Sequence, residues 1–226
     1  MFRNFRRFWS KENSLSALLV GLIVKLFVLL PMTGGGEIVG LIVDLVFSLI
    51  LIAGLNSMAR HKAVRVFFSV FVVLGFVSRY TSILFDLHFL AGFNAVFSDL
   101  ALIGILVVTL QMVYRDGPVT AHRVRGAIAA YLLISFVFAK AYALINYLVP
   151  GAFTISPALT EFRAENEPSF YYFSVVTLTT VGFGDITPVA PLARSLVMVE
   201  ALIGQLYPAI LLARLVSLSV AARPKE

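Results

Sequence analysis

The sequence predicts an all-α membrane protein: six transmembrane helices, with a re-entrant half-helix and loop inserted before the last. Three observations predict it. Of 226 residues, 60% are hydrophobic and 13% charged, a balance with which a soluble domain could not cover its surface. Several apolar runs approach or exceed the ~20 residues that a bilayer-spanning helix needs. Between the last two of them lies Thr179-Thr180-Val181-Gly182-Phe183-Gly184-Asp185, too polar and Gly-rich to belong to either. The net charge of +6 sits between apolar runs, which points to topology rather than to nucleic acid. With no cysteine, disulfides and Cys-based metal sites are excluded.

The N-terminus imitates a secretory signal, with Arg3, Arg6, Arg7 and Lys11 before apolar Leu15–Leu30. No small-residue cleavage site follows, so the reading is a retained first span, with a removed signal as the minority reading. Phe2, Phe5, Phe8 and Trp9 recur at helical spacing among the arginines, which suits either a short helix on the membrane surface or a frayed tail. Pro31 and Gly34–Gly36 end span one as a turn. Span two is Glu37–Met58 and span three Val64–Tyr80, followed by a broken apolar stretch, Thr81–Phe93. Span four is Asn94–Tyr114, closed by Arg115-Asp116-Gly117-Pro118. Span five is Gly126–Val149. An acidic loop, Pro150–Glu167, precedes the half-helix Ser169–Thr179, and span six is Pro191–Ser217.

The N-terminus, the 60–65 loop, the 115–125 loop and the tail are basic, while the Gly34–Gly36 turn and the 150–167 loop are not. Every second connection therefore carries the Lys/Arg excess. The positive-inside rule places both termini in the cytoplasm of a plasma-membrane protein, and an even number of spans agrees. The Gly-rich loop then lies on the outer side.

The half-helix is too short to cross: at ~1.5 Å per residue it covers about half of a ~30 Å hydrocarbon core. Glu167-Pro168-Ser169 is a good start, with a carboxylate at the positive end and proline near the first turn. Its C-terminal end points into the membrane centre, where the partial negative charge favours a cation. Gly182 and Gly184 can adopt φ > 0 without a Cβ penalty, so successive carbonyls of the loop can face one way and replace the water around a cation. Irregular backbone at that depth must be buried in protein or line water. One chain cannot enclose such a loop, so several copies must surround a common axis.

On these residues the stretch Thr180–Asp185 resembles the selectivity filter of potassium channels, and the resemblance extends over about Gly126–Ser219. It implies a homotetramer with four-fold symmetry embedded in membrane lipid, K⁺ as permeant ion, no cofactor and no enzymatic chemistry. Thr180 would give a hydroxyl and a carbonyl to the innermost K⁺ site, and Val181, Gly182 and Phe183 carbonyls to the outer ones. Gly184 would shape the mouth. Asp185 would brace the filter with Tyr172 or Tyr171 as partner, and Thr179 would support it from below. Phe183 stands where the family usually has Tyr, which removes a hydroxyl that could tie the filter to its surround. Gly204 lies 20 positions after Gly184, the family's hinge spacing; close helix packing is the competing reading. Pro208 should kink the helix. With that hinge, Gln205, Pro208, Leu212 and Val216 share one face and would line the cavity and inner gate.

By count and order the first four spans resemble the peripheral domain of six-span voltage-gated channels. The chain then divides into a cytoplasmic segment 1–14, a peripheral domain 15–117, a pore domain 118–219 and a tail 220–226. A sensing fourth span needs regularly spaced Arg or Lys, and Asn94–Tyr114 has none, so little sensor-driven voltage dependence is expected. Lys25 and Asp44 lie at matching depth, as do Lys140 and Glu200, so each couple could pair across spans. They read either as structural glue or, for Lys140–Glu200, as a coupling that biases gating. Asp99, Asp86, Arg79 and His88 could form an outer polar cluster. His61, His88 and His122 are isolated, and no nucleophile–base set, phosphate loop or metal cluster is visible. With nine residues after Ser217, no soluble ligand domain is expected in this chain. The leading expectation is a potassium-selective channel; the alternatives are a non-conducting membrane subunit that keeps the fold, and a nonselective cation pore.

Overall fold

A computed structural model describes residues 14–32, 37–58, 62–85, 89–115, 119–156 and 167–221. The surface helix considered for Met1–Lys11, the Gly34–Gly36 turn, Asp86, His61, His88, most of the acidic loop and the tail after Ala221 lie outside these residues. The chain is mainly helical. Helix α1 (Ser14–Val24) continues through a π-helical turn at Lys25–Leu29 into Leu30–Met32. The Leu30 N–H reaches back five residues to the Lys25 carbonyl, and Pro31, having no N–H, cannot restore the ordinary ladder. Then come α2 (Glu37–Met58), α3 (Lys62–Phe85), α4 (Phe89–Val113) and α5 (Ala121–Leu148). Strand β1 (Phe153–Ile155), half-helix α6 (Glu167–Leu178), strand β2 (Ile186–Pro188) and α7 (Pro191–Ala221) complete the order.

Among the described residues, four stretches are long and apolar enough to cross a membrane: Lys62–Ser82, Val96–Val113, Ala121–Leu148 and Pro191–Leu218. Shorter apolar stretches occur at Leu15–Leu29, Ile42–Ile52 and Ser169–Leu178. The break expected across Thr81–Phe93 is narrower than the sequence suggested: α3 runs on to Phe85 and α4 resumes at Phe89. Ser82 is tolerated in α3, and the Thr81 hydroxyl bonds back to the Val77 carbonyl at 2.8 Å, which hides its polarity inside the helix.

Helix α5 is the organising element. It packs against α4, α1, α6 and α7, and its small residues Gly126, Ala127, Ala129, Ala130 and Ala139 are buried where helices approach closely. Thr120 caps it by accepting a hydrogen bond from the Arg123 N–H. Arg123 in turn donates to the Val113 and Arg115 carbonyls, satisfying acceptors that the end of α4 leaves open. Around α6 the core is aromatic: Tyr142, Phe153, Phe170 and Phe173 meet edge to face, with centroids 5.0–5.7 Å apart. Such pairs add to simple area burial.

A feature missed in the sequence is the two-stranded antiparallel ribbon, which pairs Phe153 with Pro188 and Ile155 with Ile186. Ser156 N–H to Asp185 O and Val189 N–H to Ala152 O, both 2.8 Å, extend it at either end. The chain that leaves the Gly-rich loop is thereby tied to the chain that leaves α5.

Candidate functional site

Helix α6 ends at Leu178, and the chain then turns through Thr179 and Thr180. The Val176 carbonyl accepts from the Val181 N–H at 3.0 Å and the Gly182 N–H at 3.4 Å, so the start of the loop is fixed to the last turn of the half-helix. Beyond it, φ is +61° at Thr180, +57° at Gly182 and +77° at Gly184, while Val181 and Phe183 keep negative φ. Alternation of this kind turns successive peptide planes to the same side. Gly accepts positive φ freely, but Thr, a β-branched residue, does not. Thr180 thus holds about 1–3 kcal/mol of backbone strain, which the surroundings must enforce. Among the described residues, the carbonyls of Thr180, Val181, Gly182 and Phe183 accept no hydrogen bond, and all four residues are exposed. Exposed, unsatisfied carbonyls in a row are groups that could coordinate a hard cation.

Two residues secure the loop from the side. The Tyr172 hydroxyl donates to Asp185 Oδ2 at 2.5 Å, and Asp185 Oδ1 accepts from the Ile186 N–H at 3.0 Å. The Phe183 ring lies parallel to the Tyr172 ring, 6.5 Å between centroids and 4° between planes. Of the two tyrosines considered as the Asp185 partner, Tyr172 occupies that position. Tyr171 is buried, against Phe136 at 4.9 Å. Thr179, expected to support the loop, turns back onto its own helix, its hydroxyl 2.7 Å from the Val175 carbonyl.

The inner end of α6 is held by α5 and α7. The Tyr131 hydroxyl donates to the Leu178 carbonyl at 2.9 Å and lies 3.5 Å from the Gly204 carbonyl. Pro208, inside α7, lacks the N–H that would otherwise have bonded to that Gly204 carbonyl. Gly204 itself is pressed onto α6: a Cβ there would stand 2.0 Å from the Leu178 carbonyl oxygen. The geometry at this glycine is therefore close packing. Gln205, Pro208, Leu212 and Val216 all lie on exposed faces of α7, as do Leu202, Leu206 and Ile210.

The buried charges divide differently from the expectation. Lys25 Nζ is 3.5 Å from Asp44 Oδ1, and Asp44 Oδ2 also takes Arg79 Nε at 2.6 Å. Arg79 therefore joins this ion pair; of the outer cluster anticipated for Arg79, Asp99, Asp86 and His88, Asp86 and His88 lie outside the described residues. Lys25 also sits over the Phe47 ring at 3.8 Å and faces the Tyr171 ring of α6 at 5.4 Å. Lys140 lines the same small cavity, with Lys25, Asp44 and Arg79. It does not meet Glu200, whose carboxyl instead contacts Tyr142 Oη at 2.5 Å and Ser174 Oγ. Matching depth was a sound argument, but rotational phase decided. Tyr142 is two residues beyond Lys140, about 200° around the helix, so a face of α5 that presents Tyr142 to α6 and α7 turns Lys140 toward α1–α3. The Tyr142–Ser174–Glu200 cluster was not anticipated; hydroxyls at helix positions carry no distinctive sequence signal.

Residues 130–220 match the model of a family described as "Ion channel". Among curated proteins, the inward rectifier potassium channel Kirbac3.1 of Paramagnetospirillum magnetotacticum is 35% identical over 80 residues, 34% of this chain and 22% of that protein. Two pore potassium channel c of Oryza sativa subsp. japonica is 38% identical over 92 residues, 39% of this chain and 19% of that one. Protein LctB of Bacillus caldotenax is 33% identical over 87 residues, 38% of this chain and 64% of that one. The match thus spans about a fifth of the length of each of the two potassium channels. No solved structure matches the chain.

Proposed function

We propose that this chain, which over residues 130–220 matches the ion-channel family model and in part is similar to potassium channels, is one subunit of a potassium-selective pore that conducts K⁺ passively. Positive φ at alternate residues Thr180, Gly182 and Gly184, with the intervening carbonyls exposed and unbonded, carries this reading. Four copies around an axis would stack rings of peptide oxygens from Thr180, Val181, Gly182 and Phe183, each ring replacing part of the hydration shell of K⁺. The exposed apolar face of α7, including Leu212 at 64% and Val216 at 52%, supports an assembly in which α7 helices surround a common cavity. The domain division at 14, 117 and 219 follows from it, with α1–α4 as a peripheral unit and six spans in all. Both termini would be cytoplasmic and the loop would face the outside of the plasma membrane, by the distribution of Lys and Arg.

Chemistry at the site is exchange of water for peptide oxygen, with no bond made or broken. The work of the protein is to hold the oxygens in place, through Val176, the Tyr172–Asp185 bond and the β ribbon. Reconstitution into liposomes with a potassium gradient tests the proposal. Uptake driven by K⁺ and not by Na⁺, blocked by barium, is expected; equal uptake of both ions would refute selectivity, and none of either would refute conduction.

A further inference from the structure

Glu200 is completely buried on α7, and among the described residues its carboxyl touches two hydroxyls and no cation. Tyr142 of α5 approaches Oε2 at 2.5 Å, and Ser174 of α6 approaches Oε1. The Ser174 oxygen also lies 2.7 Å from the Ser135 carbonyl of α5. Hydrogen counting decides the state of this cluster. A peptide carbonyl only accepts, and a serine hydroxyl has one hydrogen to give. Both contacts are within hydrogen-bond distance and Ser174 has one hydrogen to share between them; assigning it to Ser135, whose carbonyl brings no hydrogen of its own, leaves the hydrogen between Ser174 and Glu200 to the carboxyl. The circuit is then complete: Glu200 donates to Ser174, Ser174 to Ser135, and Tyr142 to Glu200. An ionised carboxylate here would lose its hydration with only two neutral hydroxyls in return, which buried sites avoid by keeping the group neutral.

We propose that Glu200 is held as a carboxylic acid and serves as a positioning residue for the filter, pinning α6 between α5 and α7. The proposal deepens the reading of the chain as a potassium-selective pore and rests on it. Ser174 stands one turn before Leu178, and the carbonyl of Val176, between them, holds the N–H groups of Val181 and Gly182. Displacement of α6 at Ser174 is therefore passed directly to the first rings of carbonyls. Gly204, one turn after Glu200, forms the second point of contact, against the Leu178 carbonyl. Between them the two contacts fix both the height and the rotation of α6.

The test compares the full-length protein with Glu200→Gln, Glu200→Leu and Ser174→Ala in liposomes, and records infrared spectra of the same samples. Glutamine keeps one donor and one acceptor at the same atoms, so its K⁺-over-Na⁺ flux ratio should stay within about twofold of the parent. Loss of the buried donor in Glu200→Leu or Ser174→Ala should lower that ratio about tenfold. The parent should show a protonated-carboxyl C=O band above the amide region that Glu200→Gln lacks. Superimposable spectra would overturn the carboxylic-acid assignment. A parent ratio retained in both Glu200→Leu and Ser174→Ala would overturn the positioning role, as would a glutamine variant that assembles yet behaves like leucine. Ser174→Ala keeps this arm decisive if Glu200→Leu fails to fold. If the parent itself shows no K⁺ preference, the pore reading fails, while the spectra still decide the state of Glu200.

Discussion

Replacing Gly204 by alanine separates two accounts of the same residue with opposite signs. On helix propensity alone, Gly→Ala in a helix interior stabilises by about 1 kcal/mol, and a pure hinge would lose only bending freedom. The structure places the new Cβ 2.0 Å from the Leu178 oxygen, 2.8 Å from its carbonyl carbon and 3.0 Å from its Cα. A relaxed carbon–oxygen contact is about 3.3 Å, so α7 and α6 must separate by roughly 1.3 Å. The obstacle is backbone and cannot rotate away. The Ser174–Glu200 contact, between the same two helices and one turn away, would be pulled apart. Overpacking of this kind costs about 1–3 kcal/mol, and a lost buried hydrogen bond adds about 1 kcal/mol, together more than the propensity gain. Thermal denaturation of the detergent-solubilised assembly should show a lower midpoint for Gly204→Ala, with K⁺ flux reduced in liposomes. A midpoint equal to or above that of the parent would refute the packing account and favour the hinge.

Further outcomes follow from the same contacts. Tyr172→Phe removes the hydroxyl from Asp185; with Tyr172 36% exposed, the loss is set at about 1.5 kcal/mol, about tenfold in the equilibrium between conducting and collapsed loops, to be read as faster decay of K⁺ current. Asp44→Asn leaves Lys25 buried without its carboxylate and should destabilise by about 3 kcal/mol, more than Lys25→Met, after which Asp44 keeps Arg79; denaturation midpoints of the two variants give the order. Helix α4 carries no Lys or Arg from Phe89 to Val113, so conductance should follow voltage with at most about one gating charge per subunit; a steep conductance–voltage curve would contradict this.

How much of this could be read from the sequence depended on whether one segment or several set the outcome. Gly182 and Gly184 announce a backbone that visits positive φ, because the requirement is local. The half-helix could be placed from its length and its Glu-Pro-Ser start. The partner of Glu200 was not legible, because it depends on the relative rotation of α5, α6 and α7, and depth along the membrane normal fixes only one coordinate. Lys140 shows the same limit: two residues from Tyr142, it faces another set of helices. The β ribbon escaped notice since three-residue strands in an apolar chain lack a clear alternation. The π-helical turn that carries Lys25 lies just before Pro31, which was read in the sequence only as the end of a span. At Gly204, the spacing from Gly184 suggested a hinge, whereas what lies against it is a carbonyl from a helix elsewhere in the sequence.

The central claim concerns where a dehydrated cation sits. Determination of the assembled structure in thallium, with anomalous scattering to locate the ion, tests it most directly. The account predicts peaks on a four-fold axis between successive rings of carbonyl oxygens from Thr180 to Phe183. Carbonyls directed away from any shared axis, with thallium scattered elsewhere, would contradict it.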